Sequence, residues 1–572
     1  MAKKAPKHFF SKNASVNLPR TRFDMSCTNT TTLTTDYLYP IFCQPVFPGD
    51  SWNLGVSNFI RMISPIDVPM MDNLYVDYHF WFVPMRLVWD KTKYFFGEQD
   101  RTPNSDIDYT IPKISFDSSV APVSNYAGWN PHAGLPQVGS IYDYMNIPIQ
   151  GTDGLLQGSF TANALPLRGY NLVVDEWYID EQRVEYSYYN VGDEVTTADK
   201  YFLKKRGKRF DLYTSTLLEP QLGNPVDIPL GTTAPVYGNG MTLGLTNGTY
   251  NFALQTNDSA TANNNLTVTG LYGKAVGTLG TSISPTQLVK TPNSAGIGVV
   301  ADSTKSGLVA DLSNATAATI ASLRQAFQMQ AYQEIQARGG SRMVEFIYNQ
   351  WSVIQPDILS RPEFLGGMHQ QLTVQPIVQN SSTDSTSPQG NLTGIIYGAE
   401  TDHGFTRSFT EYGFIIGIMN IYSDLTYFQG LDPMWSWDTL FDLPLPIFAN
   451  LTDESLPKKT LVLTGTETDN EVFGYVERYA PYKYAKNTLS GLVRPNAPLT
   501  IGQWSLAEQF DSVPENTADF IQMNTPIDRI SAVPYAGDDK NPHTFIVNQK
   551  FSGNVVRALP AYSDPMKWFM RV

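Results

Sequence analysis

The period of apolar positions changes several times along the 572-residue chain. Over residues 74–83, apolar or aromatic side chains fill most even and odd positions alike, and the run stops at Pro84. Such density of β-branched and aromatic residues predicts a strand. With both faces apolar, it belongs in the middle of a sandwich. Further strands are expected over 414–422, 461–463 and 472–476. Farther along the period lengthens: Ile320, Leu323, Phe327, Ala331 and Ile335 follow one another at spacings of 3, 4, 4 and 4. That is one face of a helix, with Ser313 or Thr319 placed to cap its start and Gly339-Gly340 to end it. Residues 170–178 read as a helix or a buried strand, with the helix preferred. Elsewhere between 96 and 201, Pro and Gly interrupt the text about every ten residues, as in long excursions between strands. Many short strands and few helices predict a mainly β fold, a sandwich or jelly roll. No repeat of roughly 20 to 50 residues is visible, which argues against a propeller or solenoid.

The text divides into four stretches. Residues 1–35 read as an arm, basic first and then Thr-rich. Residues 36–220 form the first part of the β body with its insertions. Residues 221–312 carry only seven charged side chains and no Trp, and are rich in Gly, Asn, Thr and Ser. Fragments such as 244–254 alternate like hairpins, so this stretch reads as a surface-mounted β insertion rather than a linker. Residues 313–572 hold the helix and the remainder of the β body.

Composition adds a requirement for partners. Charged residues make up 16% of the chain, against about 25% in ordinary globular proteins, while aromatics reach 12%. Permanent interfaces deplete Lys, Glu and Asp and enrich Tyr, Trp and Phe, so the chain is expected to bury much of its surface against copies of itself; the alternative is a large β protein with a polar, uncharged surface. The charge is also uneven. The chain as a whole carries 54 acidic and 40 basic side chains, yet residues 1–23 hold Lys3, Lys4, Lys7, Lys12, Arg20 and Arg22 and no acid. A basic arm on an acidic body points to an anion that the arm meets and the body does not. These six cations are the candidate nucleic-acid contacts, with His8, Phe9 and Phe10 placed to stack on unpaired bases; the alternative is a solubilising tail. A second cluster, Lys204, Lys205, Arg206, Lys208 and Arg209, lies between Tyr201-Phe202 and Phe210. It is either a phosphate site or a turn that is solvated or paired across subunits.

Catalytic patterns do not emerge. The six histidines are scattered, and there is no HExxH, P-loop or G-x-S-x-G elbow. Cys27 and Cys43 define neither a metal site nor a disulfide framework. No apolar run approaches the ~18 residues of a membrane helix, and no apolar segment follows the basic start as in a secretory signal. No catalytic residue, metal, cofactor or membrane insertion is therefore expected. Trp435-Ser-Trp437-Asp438 is either a sugar-stacking platform or a core or interface pair. A jelly-roll carbohydrate-binding module or glycoside hydrolase is thus the competing reading.

Several motifs, in order, resemble the major capsid proteins of gokushoviruses, a branch of the microviruses. They include Phe80-Trp-Phe-Val-Pro-Met-Arg-Leu-Val-Trp89, Ala164-Leu-Pro-Leu-Arg-Gly-Tyr-Asn171 with Glu176-Trp177, and Lys205-Arg-Gly-Lys-Arg209. The series continues with Leu323-Arg-Gln-Ala-Phe-Gln328, Ala337-Arg-Gly-Gly-Ser-Arg342, Arg361-Pro-Glu-Phe-Leu-Gly-Gly367 and Val472-Phe-Gly-Tyr-Val-Glu-Arg478. The resemblance implies a single eight-stranded antiparallel jelly roll of viral capsid type, with long loop insertions and a few helices. It further implies about sixty copies in a T=1 icosahedral shell around circular single-stranded DNA, with 221–312 as a host-facing protrusion at threefold axes. The implied partners are an internal scaffolding protein, a pilot protein, a small basic DNA-binding protein and a host surface receptor. The chain would be made in the bacterial cytoplasm and end in the virion.

Overall fold

The computed structural model describes residues 20–98, 109–121, 131–224, 320–340, 342–380, 389–532 and 543–562, the single residues 226 and 383, and five short backbone strands between 236 and 310. The chain forms two compact units, one of Met1–Pro220 with Gln336–Val572 and one of Gln221–Ile335.

The first unit is mainly β, with antiparallel sheets and few helices. Ten strands build two sheets: β1 (Thr21–Asp24), β2 (Cys27–Leu33), β3 (Tyr39–Val46), β4 (Ser51–Met62), β5 (Leu74–Pro84), β6 (Glu363–Gln371), β7 (Thr373–Val378), β8 (Leu392–Ser408), β9 (Gly413–Ser423) and β10 (Phe545–Arg557). In the six-stranded sheet, β1 and β2 both pair with β10, which pairs with β4, then β8, then β7. The four-stranded sheet runs β6–β5–β9–β3.

Side-chain alternation explains the first sheet. Trp52, Leu54, Val56, Asn58, Ile60 and Met62 of β4 are buried, as are Phe545, Val547, Gln549, Phe551, Gly553 and Val555 of β10, while the alternate residues face outward. The central strands β5 and β9 of the second sheet lack this alternation because both of their faces are covered. Helix α1 (Leu165–Trp177) packs against β5 and β9, close enough that a Cβ on Gly169 would stand 3.0 Å from Ile416 Cδ1. Between the sheets, the Phe42 ring lies 5.0 Å from Phe551, 6.2 Å from Phe80 and 6.3 Å from Trp52. A smaller second core gathers Leu212, Tyr213, Leu456, Phe473, Phe520 and Ile521.

The expected elements over 74–83, 170–178, 414–422 and 472–476 form where the pattern placed them, although α1 begins earlier, with Pro166 in its first turn. Two stretches differ. Residues 27–33, read as part of an arm, are a strand: their β-branched Thr side chains suit the pleat, and Leu33 enters the core. Residues 461–463 are not a strand. Leu461 and Val462 are buried, but they follow a one-turn 3-10 helix, Lys458–Thr460, that starts after Pro457 and ends the extended run.

In the second unit, Gly244–Thr246 pairs with Asn251–Ala253, setting Leu245 opposite Phe252, as the alternation in 244–254 implied. Helix α2 (Ile320–Gly339) stops where Gly340 takes φ +82°, a left-handed cap that glycine adopts without steric cost. The residues named as its N-terminal caps lie outside the described residues. Phe327 and Ile335, on its apolar stripe, are 64% and 49% exposed.

Phe42→Ala is expected to lower unfolding free energy by about 3–5 kcal/mol in a denaturant titration of the unassembled subunit. Phe59→Ala, on the outward face of β4, should change it by under ~0.5 kcal/mol.

Candidate functional site

Asp77 lies in β5, a strand that is covered on both faces, and its side chain is almost wholly buried. A carboxylate there requires a cation, and Arg206 supplies it at 2.5 Å. His369 Nδ1 lies 2.7 Å from the same carboxylate, and the Tyr422 hydroxyl donates to it at 3.3 Å. Burial would raise the Asp77 carboxyl, but the Arg206 charge and the hydrogen bonds from His369 and Arg206 outweigh it and hold the group below its ordinary value. Arg206 also donates to Asn420 Oδ1 at 3.1 Å, and its guanidinium lies 4.7 Å from the centre of the Tyr422 ring.

The other cations of the cluster are held within the chain as well. Lys208 is buried, 2.6 Å from Glu508 Oε2 and 4.3 Å from the centre of the Phe520 ring in the second core. Burial presses Lys208 down and Glu508 up, and their mutual contact opposes both shifts. Arg209 stacks 4.6 Å from the Tyr422 ring and donates to its hydroxyl. Lys204 lies 3.6 Å from the centre of the Phe202 ring, its ammonium lowered by burial to about 8, and Lys205 lies 5.6 Å from Tyr37. The backbone is stitched in on both sides: Arg206 N donates to Asp36 O at 2.8 Å, and Lys208 N to Ile521 O at 2.7 Å. Gly207 sits where a Cβ would come within 2.8 Å of Tyr178 O, so the strap runs this close only with glycine there. Residues 204–209 therefore bolt the two cores together.

Beside the strap lies an open cleft of about 860 Å³. Its far wall carries Arg183, Arg338 and Arg342. Arg342 meets Glu176, Glu181 and Glu345 at 3.3–3.4 Å and donates to Asp175 O at 2.6 Å. Arg183 pairs with Asp180, and Arg338 with Asp453. Carboxylates thus compensate these cations from within the chain, and the cleft is an electrostatic joint. Among the described residues no group of three His, Cys, Asp or Glu could hold a metal ion, and no helix is long and apolar enough to cross a membrane.

Of the arm's six candidate cations, Lys3, Lys4, Lys7 and Lys12 lie outside the described residues. Arg20 and Arg22 are exposed at the edge of the six-stranded sheet, where Arg20 donates to Ser51 Oγ at 3.1 Å and Arg22 to Asn554 Oδ1 at 3.1 Å. The geometry does not bring these two cations to the 204–209 cluster. Elsewhere, residues 434–451 leave large apolar side chains in solvent: Trp435 is 72%, Phe441 68% and Ile447 82% exposed.

A protein-family model described as "Capsid protein (F protein)" matches residues 11–567. The chain belongs to that capsid protein family. Among its relatives, "Capsid protein VP1" of Bdellovibrio phage phiMH2K is 35% identical over 91% of each chain. "Capsid protein VP1" of Chlamydia phage 1 is 33% identical over 98% of this chain and 97% of its own, and that of Spiroplasma virus 4 is 29% identical over the same shares.

As a capsid protein the chain is a structural component of the virion, and its family implies assembly into a shell. Three of the resemblance motifs now have structural meanings: 80–89 ends β5 and turns into a short helix, 164–171 begins α1, and 205–209 is the strap. The sequence pattern missed the carboxylates that engage the strap, Asp77 and Glu508. For Asp77 the signal was there, a lone acid in an otherwise apolar strand. For Glu508, some 300 residues from Lys208, there was none.

Lys208→Met should destabilise the subunit by about 3–5 kcal/mol, because it leaves Glu508 buried and unpaired. Lys208→Met with Glu508→Leu should recover most of that loss. Urea titrations of the wild type, the single and the double variant check both statements.

Proposed function

We propose that this protein is the major subunit of a T=1 icosahedral shell of about sixty copies enclosing circular single-stranded DNA. The observation that carries this reading is the apolar surface at 434–451. A chain with two well-filled cores still leaves Trp435, Phe441 and Ile447 in water, and exposed apolar side chains in such number mark an interaction surface. In a capsid family the fitting occupant is a neighbouring copy, held through obligate interfaces of several thousand Å² per subunit, as an order of magnitude.

The body of the subunit is, on this proposal, a single eight-stranded jelly roll. In its support, β2, β3, β4, β5, β6, β8, β9 and β10, counted in chain order as first to eighth, pair in the order 1-8-3-6 in one sheet and 5-4-7-2 in the other. Strands β1 and β7 extend the first sheet at its edges. The basic arm meets packaged DNA, and the weakly charged insertion 221–312 faces the host receptor, its composition suiting an exposed loop where function varies without harming the core. A shell subunit with an acidic body leaves much of the genome's charge uncompensated, so bound cations or a small basic protein complete the neutralisation. Scaffolding and pilot proteins assist assembly, synthesis takes place in the bacterial cytoplasm, and the protein performs no catalysis.

The native assembly should be uniform spherical shells with a mass near sixty copies and absorbance at 260 nm from nucleic acid, by light scattering and negative-stain imaging. Trp435→Ser with Phe441→Ser and Ile447→Ser should leave folded subunits that no longer assemble. A wild-type oligomer of one to six copies with affinity for sugar, lost on Trp435→Ala, would instead establish the carbohydrate-binding reading.

Removing residues 1–19 spares β1, which pairs with β10. If its four lysines all meet phosphates, DNA binding should lose roughly 0.7 × 4 ≈ 3 from the slope of log affinity against log salt. An unchanged slope would show that the arm does not bind DNA.

A further inference from the structure

The two sheets of the first unit differ in what covers them. Helix α1 lies on the outer side of the four-stranded sheet, whereas among the described residues no helix packs on the outer side of the six-stranded sheet, and most of its outward residues are exposed. Phe59 of β4 is 48% exposed; Asn53 and Arg61 of β4, Ile546, Asn548, Lys550 and Ser552 of β10, and Thr28 and Thr30 of β2 are exposed as well. The register makes this one continuous surface: Phe59 stands opposite Asn548 on one side and Ala399 on the other, and Asn548 opposite Thr30.

The chemistry of this face is distinctive in being poor in carboxylates. Strands β1, β2, β4 and β10 contain one carboxylate, Asp24, in a chain that is acidic overall; β8, beside β4, adds Glu400 and Asp402, which stand opposite the inward-facing Asn58 and Val56. Arg22, Arg61 and Lys550 project from the outward positions, separated by amides and hydroxyls. Lys550 is opposite Ser57, so Arg61 lies four residues farther along β4, about 13 Å away in the strand direction. On the other side of Lys550, Val556 pairs with Arg22, six residues along β10 and about 20 Å away. In sequence, β1 at this edge is preceded by Lys3, Lys4, Lys7 and Lys12. A permanent contact with another copy would want an apolar centre; here Phe59 and Ile546 stand among small polar side chains, and the dense apolar surface is at 434–451. Separated cations, uncharged hydrogen-bonding groups and an exposed ring are what a groove for single-stranded nucleic acid combines.

We infer that the open face of the six-stranded sheet is a binding surface for single-stranded DNA, with Arg22, Arg61 and Lys550 on phosphates and Phe59 as a base-stacking platform. This rests on the capsid reading and adds to it the direction the sheet faces, toward the genome. Binding of this kind is tolerant of sequence, because every base has a face to stack and every nucleotide a phosphate.

The test is ultraviolet crosslinking of the packaged genome inside native particles, with the attached peptides mapped by mass spectrometry. Crosslinks are expected on Ser51–Met62 and Phe545–Arg557. Phe59→Ala shells should assemble with the crosslink on Ser51–Met62 reduced ~10-fold, and Phe59→Trp should restore it. Lys550 should resist an amine reagent that does not enter full particles and should react after dissociation. DNA-filled shells whose crosslinks fall only elsewhere, or whose Lys550 is labelled from outside, overturn the inference and leave the capsid reading intact. Wild-type chain that forms no shell containing nucleic acid overturns both.

Discussion

A strand covered on both faces has no room for an unpaired charge, and β5 nevertheless carries Asp77. Taking a carboxylate out of water costs several kcal/mol unless a cation and hydrogen bonds replace the water. That demand determines where residues 204–209 run. Arg206 has to reach Asp77, and the strap that carries it then passes close under Tyr178, where Gly207 alone fits, before placing Lys208 against Glu508 and the aromatic rings of the second core. One buried charge thus fixes a connection between two cores whose residues lie hundreds of positions apart in sequence. The basic motif resembles a phosphate site when read as text, but in the fold much of its charge is engaged inside the subunit.

The two sheets divide the labour of a shell subunit. The central strands of the four-stranded sheet, β5 and β9, are interior on both sides, which explains why they read as near-continuous apolar runs. The six-stranded sheet is interior on one side only and keeps the alternation of a half-exposed sheet. A shell needs this difference, since a subunit must be rigid at its centre and still offer distinct surfaces to its contents and to its neighbours. Segment 434–451 has the composition for neighbours, and the acid-poor sheet face has the composition for a polyanion.

Much of the fold was legible locally. The strands over 74–83 and 414–422 are patterned strongly enough that tertiary context did not override them, whereas 170–178 read as helix or buried strand and the fold settles it as helix. The misreadings have local causes. The Thr-rich 27–33 looked like an arm because it has almost no apolar side chains, yet an edge strand paired on one side needs few. Leu461 and Val462 looked like a strand because they are apolar, but a proline and a tight turn make them a buried plug. The apolar stripe of α2 was read correctly as a helix face, but periodicity does not say what covers a face.

The sequence by itself determined that the chain is mainly β, that charged residues are few and aromatics many, and that its first 23 residues are basic and free of acid, because those properties are sums over residues or short-range periods. Its motifs placed it near a family of capsid proteins for the same reason: they are strings. Which cations remain available is a different kind of fact. Arg206 and Lys208 were indistinguishable in sequence from Arg61 and Lys550, and only the fold turned the first two inward onto Asp77 and Glu508 and the second two outward onto an open face. The reason is that a charge is cancelled by whatever lies within a few ångströms, and the tertiary structure alone brings together residues that stand 129 and 300 positions apart in sequence.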